Sequence, residues 1–234
     1  MRIAMWSGPR NLSTAMMYSF GNREDFAVWD EPFYSPYLKA TKLDHPLASE
    51  IIEAHDSDPE SVARTCLGPI PDGKPNFYMK HMPHHMVEGF PLEWANDCVN
   101  VHLIRHPARV AASYANKRQV MTLEDIGYLQ QLEIYKSFGG IVVDSADIRE
   151  NPKGMLSALC EAIGLEFDPG MLAWPAGPKP ADGIWAKHWY NAVHTSIGFA
   201  GPEGPLPELS SEQAQIVAEA MPTYEEMAAQ KLCA

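Results

Sequence analysis

The sequence predicts a three-layer α/β fold: a central parallel sheet, helices on both faces, and a Pro-, Gly- and Trp-rich covering segment near the C-terminus. Three observations carry this. Short apolar runs alternate with stretches of helical periodicity, the pattern of strands joined by crossover helices. The chain opens as strand, loop and helix over residues 2–21. Cys98–Ile104 is a near-continuous apolar run, as expected of a parallel strand buried on both faces.

Taken in order, Arg2–Trp6 is apolar and ends in a Ser-Gly-Pro turn, so it reads as a buried strand followed by a loop. Ser13–Phe20 places Met16, Met17 and Phe20 on a helix, with Leu12 one turn earlier; Ser13 or Thr14 can cap it and Gly21 can stop it. Phe26–Trp29 is a second strand running into Asp30-Glu31-Pro32-Phe33. Residues 44–74 are rich in Asp, Pro and Gly, with short helices expected at Leu47–Ala54 and Glu60–Cys66. Asn76–Lys80 is a strand that meets His81-Met82-Pro83. After Cys98–Ile104 a helix starts at Pro107, where proline suits the first helical position. Further helices are expected at Leu123–Ser137, Asn151–Ile163 and Ser211–Ala229, and a strand at Gly140–Val143. Residues 167–209 hold three of the six tryptophans and read as an ordered covering segment, because tryptophan is costly to leave exposed. Gln130-Gln131 and Glu225-Glu226 read as solvated faces. Trp6, Trp29, Trp94 and Tyr114 read as core.

The bulk numbers set limits. A chain of 234 residues suits one domain spanning residues 1–234, with 167–209 as its lid. The formal net charge of −12 argues against a nucleic-acid or anionic-membrane partner, but a few converging arginines can still hold a small anion. The cysteines, Cys66, Cys98, Cys160 and Cys233, show neither CxxC pairing nor zinc-ligand spacing, and read as reduced thiols of a cytoplasmic protein. Met1–Trp6 reaches Ser7-Gly8-Pro9 too soon to be the apolar stretch of a signal peptide. No apolar run approaches the ~18 residues that span a bilayer.

Two constellations suggest an anionic ligand. Ser7-Gly8-Pro9-Arg10-Asn11-Leu12-Ser13-Thr14 lies between a strand and a helix, where free N–H groups and the helix dipole attract phosphate. Arg10 adds a fixed charge and Ser13 and Thr14 add hydroxyls. The Walker pattern GxxxxGK[ST] is absent, which disfavours an ordinary ATPase or GTPase. A plain capped helix accounts for the same residues. The second constellation is Arg105-His106-Pro107 through Ser113 at the carboxyl end of the clearest strand, the edge where such sheets bind ligands. An arginine and a serine hydroxyl suit phosphate. A surface ion pair at Arg105 and a solvent-facing Ser113 account for them equally.

Together these segments resemble the sulfotransferase superfamily, which has a P-loop fold. Pro9-Arg10-Asn11-Leu12-Ser13-Thr14 is similar to its P-K-S-G-T-T loop, with Arg10 in the lysine place. Arg105 through Ser113 is similar to its R-x-P-x-x-x-x-x-S motif. Lys80-His81-Met82-Pro83 is similar to K-T-H-L-P with one residue missing. Lys179 through Gly183-Ile184-Trp185 resembles the R-K-G-x-x-G-x-W segment that covers the nucleotide. The resemblance implies sulfuryl transfer from 3′-phosphoadenosine 5′-phosphosulfate to a small hydroxyl or amine acceptor, with no metal. Pro9 to Thr14 would hold the 5′-phosphosulfate, with Arg10 at the bridging oxygen. Arg105 and Ser113 would clamp the 3′-phosphate, and Lys179 and Trp185 would cover the nucleotide. His81 would be the general base, with Glu31 as its rival. Residues 33–75 and 119–139 would shape the acceptor pocket, while acceptor identity and oligomeric state stay open. The alternatives are an ATP- and magnesium-dependent P-loop kinase-like transferase, and a non-catalytic nucleotide-binding protein of the same fold.

Overall fold

The computed structural model describes residues 1–115 and 121–234. Five strands, β1 (Arg2–Ser7), β2 (Phe26–Asp30), β3 (Asn76–His81), β4 (Val99–Ile104) and β5 (Ile141–Asp144), form one sheet in the order β2-β3-β1-β4-β5. All pairs are parallel. The helices are α1 (Ser13–Gly21), α2 (Tyr34–Thr41), α3 (Ala48–Ala54), α4 (Pro59–Leu67), α5 (Pro107–Ala115), α6 (Leu123–Ile126), α7 (Tyr128–Phe138), α8 (Ser145–Glu150), α9 (Pro152–Ala162), α10 (Ala186–Trp189), α11 (Asn191–His194) and α12 (Ser211–Ala228).

Side chains on a strand alternate between its two faces, and β1 uses both. Ile3 and Met5 pack with Met16, Met17 and Phe20 of α1 and with Leu156 and Leu159 of α9. Ala4 and Trp6 pack on the other side with Val62 and Cys66 of α4, Ile134 of α7 and Trp94. Met227 of α12 joins that second layer over Ile104 and Val142. These are the two helical layers that the sequence predicts. Within residues 167–209, Trp174 enters the α1 core, and Trp185 packs with Tyr34 and Tyr37.

Several expectations need correction. The single helix expected over Leu123–Ser137 is two, because Gly127 adopts a left-handed φ of 69° between them and a Thr122–Asp125 capping box closes the start of the first. Helices α2, α8, α10 and α11 lie where no separate helix is expected. Helix α1 begins after Leu12, whose φ is 62°, and no side chain caps it. Ser13 and Thr14 therefore enter the helix instead of closing it, and Gly21 lies inside it. Gln131 is buried, not solvated: its amide donates to the carbonyls of Trp6 (3.0 Å) and Leu103 (3.1 Å), tying α7 to the carboxyl ends of β1 and β4.

His81 ends β3 fully buried. Its ring centroid lies 4.8 Å from that of Trp6, 4.7 Å from Trp94 and 6.0 Å from Phe33, and neither ring nitrogen has a hydrogen-bond partner among the described residues. Burial lowers its pKa to about 3. An unfolded histidine titrates near 6.5, so unfolding takes up a proton below that pH. The stability His81 contributes is complete above about pH 6.5 and falls away as pH drops towards about 3. Glu31 and Asp144, raised mainly by burial, act in the opposite sense, so the test must be differential. We expect the loss of urea stability between pH 7 and 5 to be smaller in His81→Leu than in the parent; equal pH slopes would contradict this burial. Gly8 gives a second expectation. A Cβ there would sit 2.4 Å from the Ile126 carbonyl oxygen, so Gly8→Ala should lower stability by roughly 1–3 kcal/mol. An unchanged urea midpoint would contradict that contact.

Candidate active site

The carboxyl ends of the parallel strands open into a cleft of about 370 Å³. Its walls include Pro9 to Thr14, Arg105, Ser113 and Tyr114, and also Glu31, Lys80, Tyr34, Tyr37, His45, His84, His85, Trp189 and Tyr190. The two phosphate-type motifs, distant in sequence, thus share one space.

The β1–α1 loop is a tight turn. Arg10 has φ of 61° and Leu12 φ of 62°, conformations that cost a non-glycine residue about 1–2 kcal/mol each. The turn delivers an uncapped N-terminus of α1 to the cleft, where unsatisfied N–H groups favour an anion. Asn11 holds the loop in place by donating to the Leu103 carbonyl at 2.7 Å. Arg10 Nε donates to Ser113 Oγ at 3.0 Å, and an Arg105 guanidinium nitrogen donates to the Arg10 carbonyl at 2.6 Å. The first motif and the second are therefore in direct contact. Burial lowers the Arg10 pKa, and the charge of Arg105 lowers it further. Two partly buried cations side by side are relieved by a bound anion.

At the other end lies a buried charge cluster. Asp30 pairs with Lys80 across β2 and β3. Lys80 Nζ lies 2.9 Å from Asp30, 2.7 Å from Glu31 and 2.6 Å from the Tyr190 hydroxyl, and its side chain has no exposed surface. Tyr190 donates to Asp30 at 2.8 Å, and the Gly183 N–H donates to Asp30 at 3.2 Å. Burial raises the Glu31 pKa, Lys80 opposes this, and Asp30 raises it again. Burial also works against the charge on Lys80, but the two carboxylates outweigh it and keep the ammonium protonated. Glu31 itself is held at a φ of 44°, a strained conformation of the kind that clusters at functional sites.

The expected site residues are not all brought together. Pro9 to Thr14, Arg105, Ser113 and Glu31 line the cleft. His81 does not: its ring packs into the Trp6–Trp94 core on one face of the sheet. Trp185 covers Gly183, where a Cβ would meet its ring at 2.1 Å, and donates to Tyr190 at 3.3 Å. Lys179 lies over the Tyr18 ring at 5.4 Å. Neither lines the cleft. Sequence reasoning gave Lys80 and Tyr190 no role. The charged pair Asp30 and Glu31 at the end of one strand, with Lys80 at the end of another, was the available signal. Tyr34, Tyr37 and His45 come from the expected acceptor stretch 33–75, and Asp125 from 119–139, of which residues 119 and 120 lie outside the described residues. Among the described residues no helix is long and apolar enough to cross a membrane, and no cluster of three or more His, Cys, Asp or Glu could hold a metal.

In fold, the chain is similar to a sulfotransferase from Alicyclobacillus acidocaldarius (TM-score 0.56, 10% identity, 98% of this chain and 96% of that one). It is likewise similar to a mouse sulfotransferase complexed with PAP (TM-score 0.57, 12% identity, 95% and 84%). In sequence it is 34% identical over 208 residues to branched-chain-amino-acid aminotransferase-like protein 2 of Arabidopsis thaliana, and 34% over 207 to protein 1 of that name. Those matches cover 86% of this chain but only 36% and 37% of the plant proteins, so the chain spans about a third of their length. The Sulfotransferase domain family model matches residues 1–231, and the chain belongs to that family.

Proposed function

We propose that this chain is an enzyme that transfers a sulfuryl group from 3′-phosphoadenosine 5′-phosphosulfate to a small hydroxyl or amine acceptor, with Glu31 as the base. The supporting observation is the single cleft that joins the α1 N-terminus, Arg10, Arg105 and Ser113 at one end to Glu31 and Lys80 at the other. The donor set suits a nucleotide with two separated anionic groups: an uncapped helix N-terminus with hydroxyls, and an arginine–serine pair next to it. The complex of the mouse relative with PAP agrees with this choice of nucleotide.

When bound, the nucleotide supplies the activated sulfuryl group. Ser13, Thr14 and the N–H groups at the start of α1 would hold its 5′ end, and Arg10 would turn from Ser113 towards the negative charge that develops on the leaving phosphate oxygen. Arg105 and Ser113 would hold the 3′-phosphate. Glu31 would accept the proton that the acceptor loses as its oxygen or nitrogen bonds to sulfur. A carboxylate raised by burial is a stronger base than an exposed one, which is the direction a general base requires. Lys80 would keep Glu31 oriented and lend positive charge to the same end of the cleft. His45, His84, Tyr34, Tyr37 and Trp189 would surround the acceptor.

Glu31→Gln should lower kcat by roughly 10²–10⁴-fold with nucleotide binding preserved. His81→Leu, where folded, should keep its turnover; the reverse pair of results would return the base to His81. The acid limb of kcat should fall above the ordinary carboxylate pKa of about 4.3, because activity needs ionised Glu31 and burial raises its pKa. PAP without magnesium should raise the melting temperature more than ADP does, since a ligand that binds only the folded state stabilises it. Magnesium-dependent stabilisation by ATP, with none by PAP, would favour a kinase-like transferase.

A further inference from the structure

Arg105, in the wall of the cleft, is engaged by the chain itself. Glu203, in the Gly201-Pro202-Glu203-Gly204-Pro205 stretch of the covering segment, has its side chain 3% exposed among three guanidiniums. Arg105 and Arg149 both donate to Oε1, the latter at 2.6 Å, and Arg109 Nε lies 3.1 Å from Oε2. The arginines come from separate places: the end of β4, α5 and α8. Arg109 and Ser113 are four residues apart on α5, so they share a helix face. The same arginines also hold the segment's backbone. Arg109 donates to the Gly204 carbonyl at 2.5 Å and Arg149 to that of Gly201 at 2.7 Å.

The match is incomplete. Three cations face one carboxylate, leaving an excess of about two positive charges, in a chain with 18 Lys and Arg against 30 Asp and Glu. Oε2 has no hydrogen bond of good geometry among the described residues. A phosphate monoester carries roughly −1.5 to −2 charges and three acceptor oxygens, which fits three guanidiniums better than a carboxylate does. Gly198 and Ala200, a few residues before Glu203, line the main cleft, as does Arg105, so the pocket is continuous with it.

We propose that Arg109 and Arg149 join Arg105 in selecting a nucleotide with a 3′-phosphate, and that the Glu203 carboxylate is the surrogate anion that fills their pocket until that phosphate displaces it. This rests on the nucleotide reading above. Residues 201–205 are then released when nucleotide binds, and the segment reports occupancy of the site.

The test compares PAP with AMP, which differ only in the 3′-phosphate, by titration calorimetry on the full chain and its variants, each checked for folding by thermal melting. Glu203→Gln should bind PAP at least about fivefold more tightly, the low end of ordinary coupling between linked events, with AMP affinity unchanged. Arg149→Gln should weaken PAP and leave AMP alone, which probes the same contact from its other side should Glu203→Gln fold poorly. Equal or weaker PAP binding by folded Glu203→Gln overturns the surrogate role and makes Glu203 a structural latch. Unchanged PAP binding by Arg149→Gln removes that arginine from recognition. A parent chain that does not prefer PAP to AMP contradicts the nucleotide reading itself, and this inference with it.

Discussion

A fully buried lysine is the interaction on which the functional end of this molecule depends. Taking an ammonium out of water costs several kcal/mol, and Lys80 offsets this only because Asp30, Glu31 and Tyr190 converge on it. The cluster ties together three separate parts of the chain: β2 through Asp30 and Glu31, β3 through Lys80, and the covering segment through Tyr190 and Gly183. Loss of Lys80 would leave Asp30 and Glu31 buried side by side with no counter-charge, so the candidate base depends on that lysine. The strained backbone of Glu31 is tolerable in this setting because its carboxylate is held from two sides.

At the opposite end of the cleft the same accounting runs with the sign reversed. Arg10, Arg105, Arg109 and Arg149 gather positive charge at the carboxyl edge of the sheet, in a protein whose surface is otherwise acidic. Such a cationic group would draw a small anion into the cleft. In the proposed reaction the two ends would divide the labour: cations to hold the nucleotide, and a carboxylate of raised pKa to receive the acceptor's proton. Glu203 shows that the cationic end is not left bare among the described residues.

Much of this was legible in the sequence, and for physical reasons. Strands β1 and β4 show as apolar runs because both their faces are buried, and the Gly-Pro turn before Ser13 marks a helix entrance. The two phosphate motifs are local in sequence, so the family resemblance finds them. The base is another matter. Lys80 and His81 are adjacent on β3, and neighbouring side chains on a strand face opposite sides, so a lysine aimed at Asp30 sends the histidine into the Trp6–Trp94 core. Gln131 looked solvated because a polar residue on a helix usually is; its burial follows from two strand-end carbonyls that nothing local reveals. Nothing near Glu203 in sequence announces its arginines, which come from elements up to 98 residues away. Helix α2 hides in a stretch that opens Tyr-Ser-Pro, where its buried tyrosines mark tertiary packing more than helical propensity.

The central claim is that one cleft holds a 3′-phosphorylated nucleotide between the α1 N-terminus and Arg105, facing Glu31. A crystal structure of the chain with PAP tests this most directly. The account predicts the 5′-phosphate at Ser13 and Thr14, the 3′-phosphate at Arg105 with Glu203 displaced, and open space beside Glu31 for an acceptor. A nucleotide bound elsewhere, or one whose 3′-phosphate points to solvent with Glu203 still among its arginines, would contradict it.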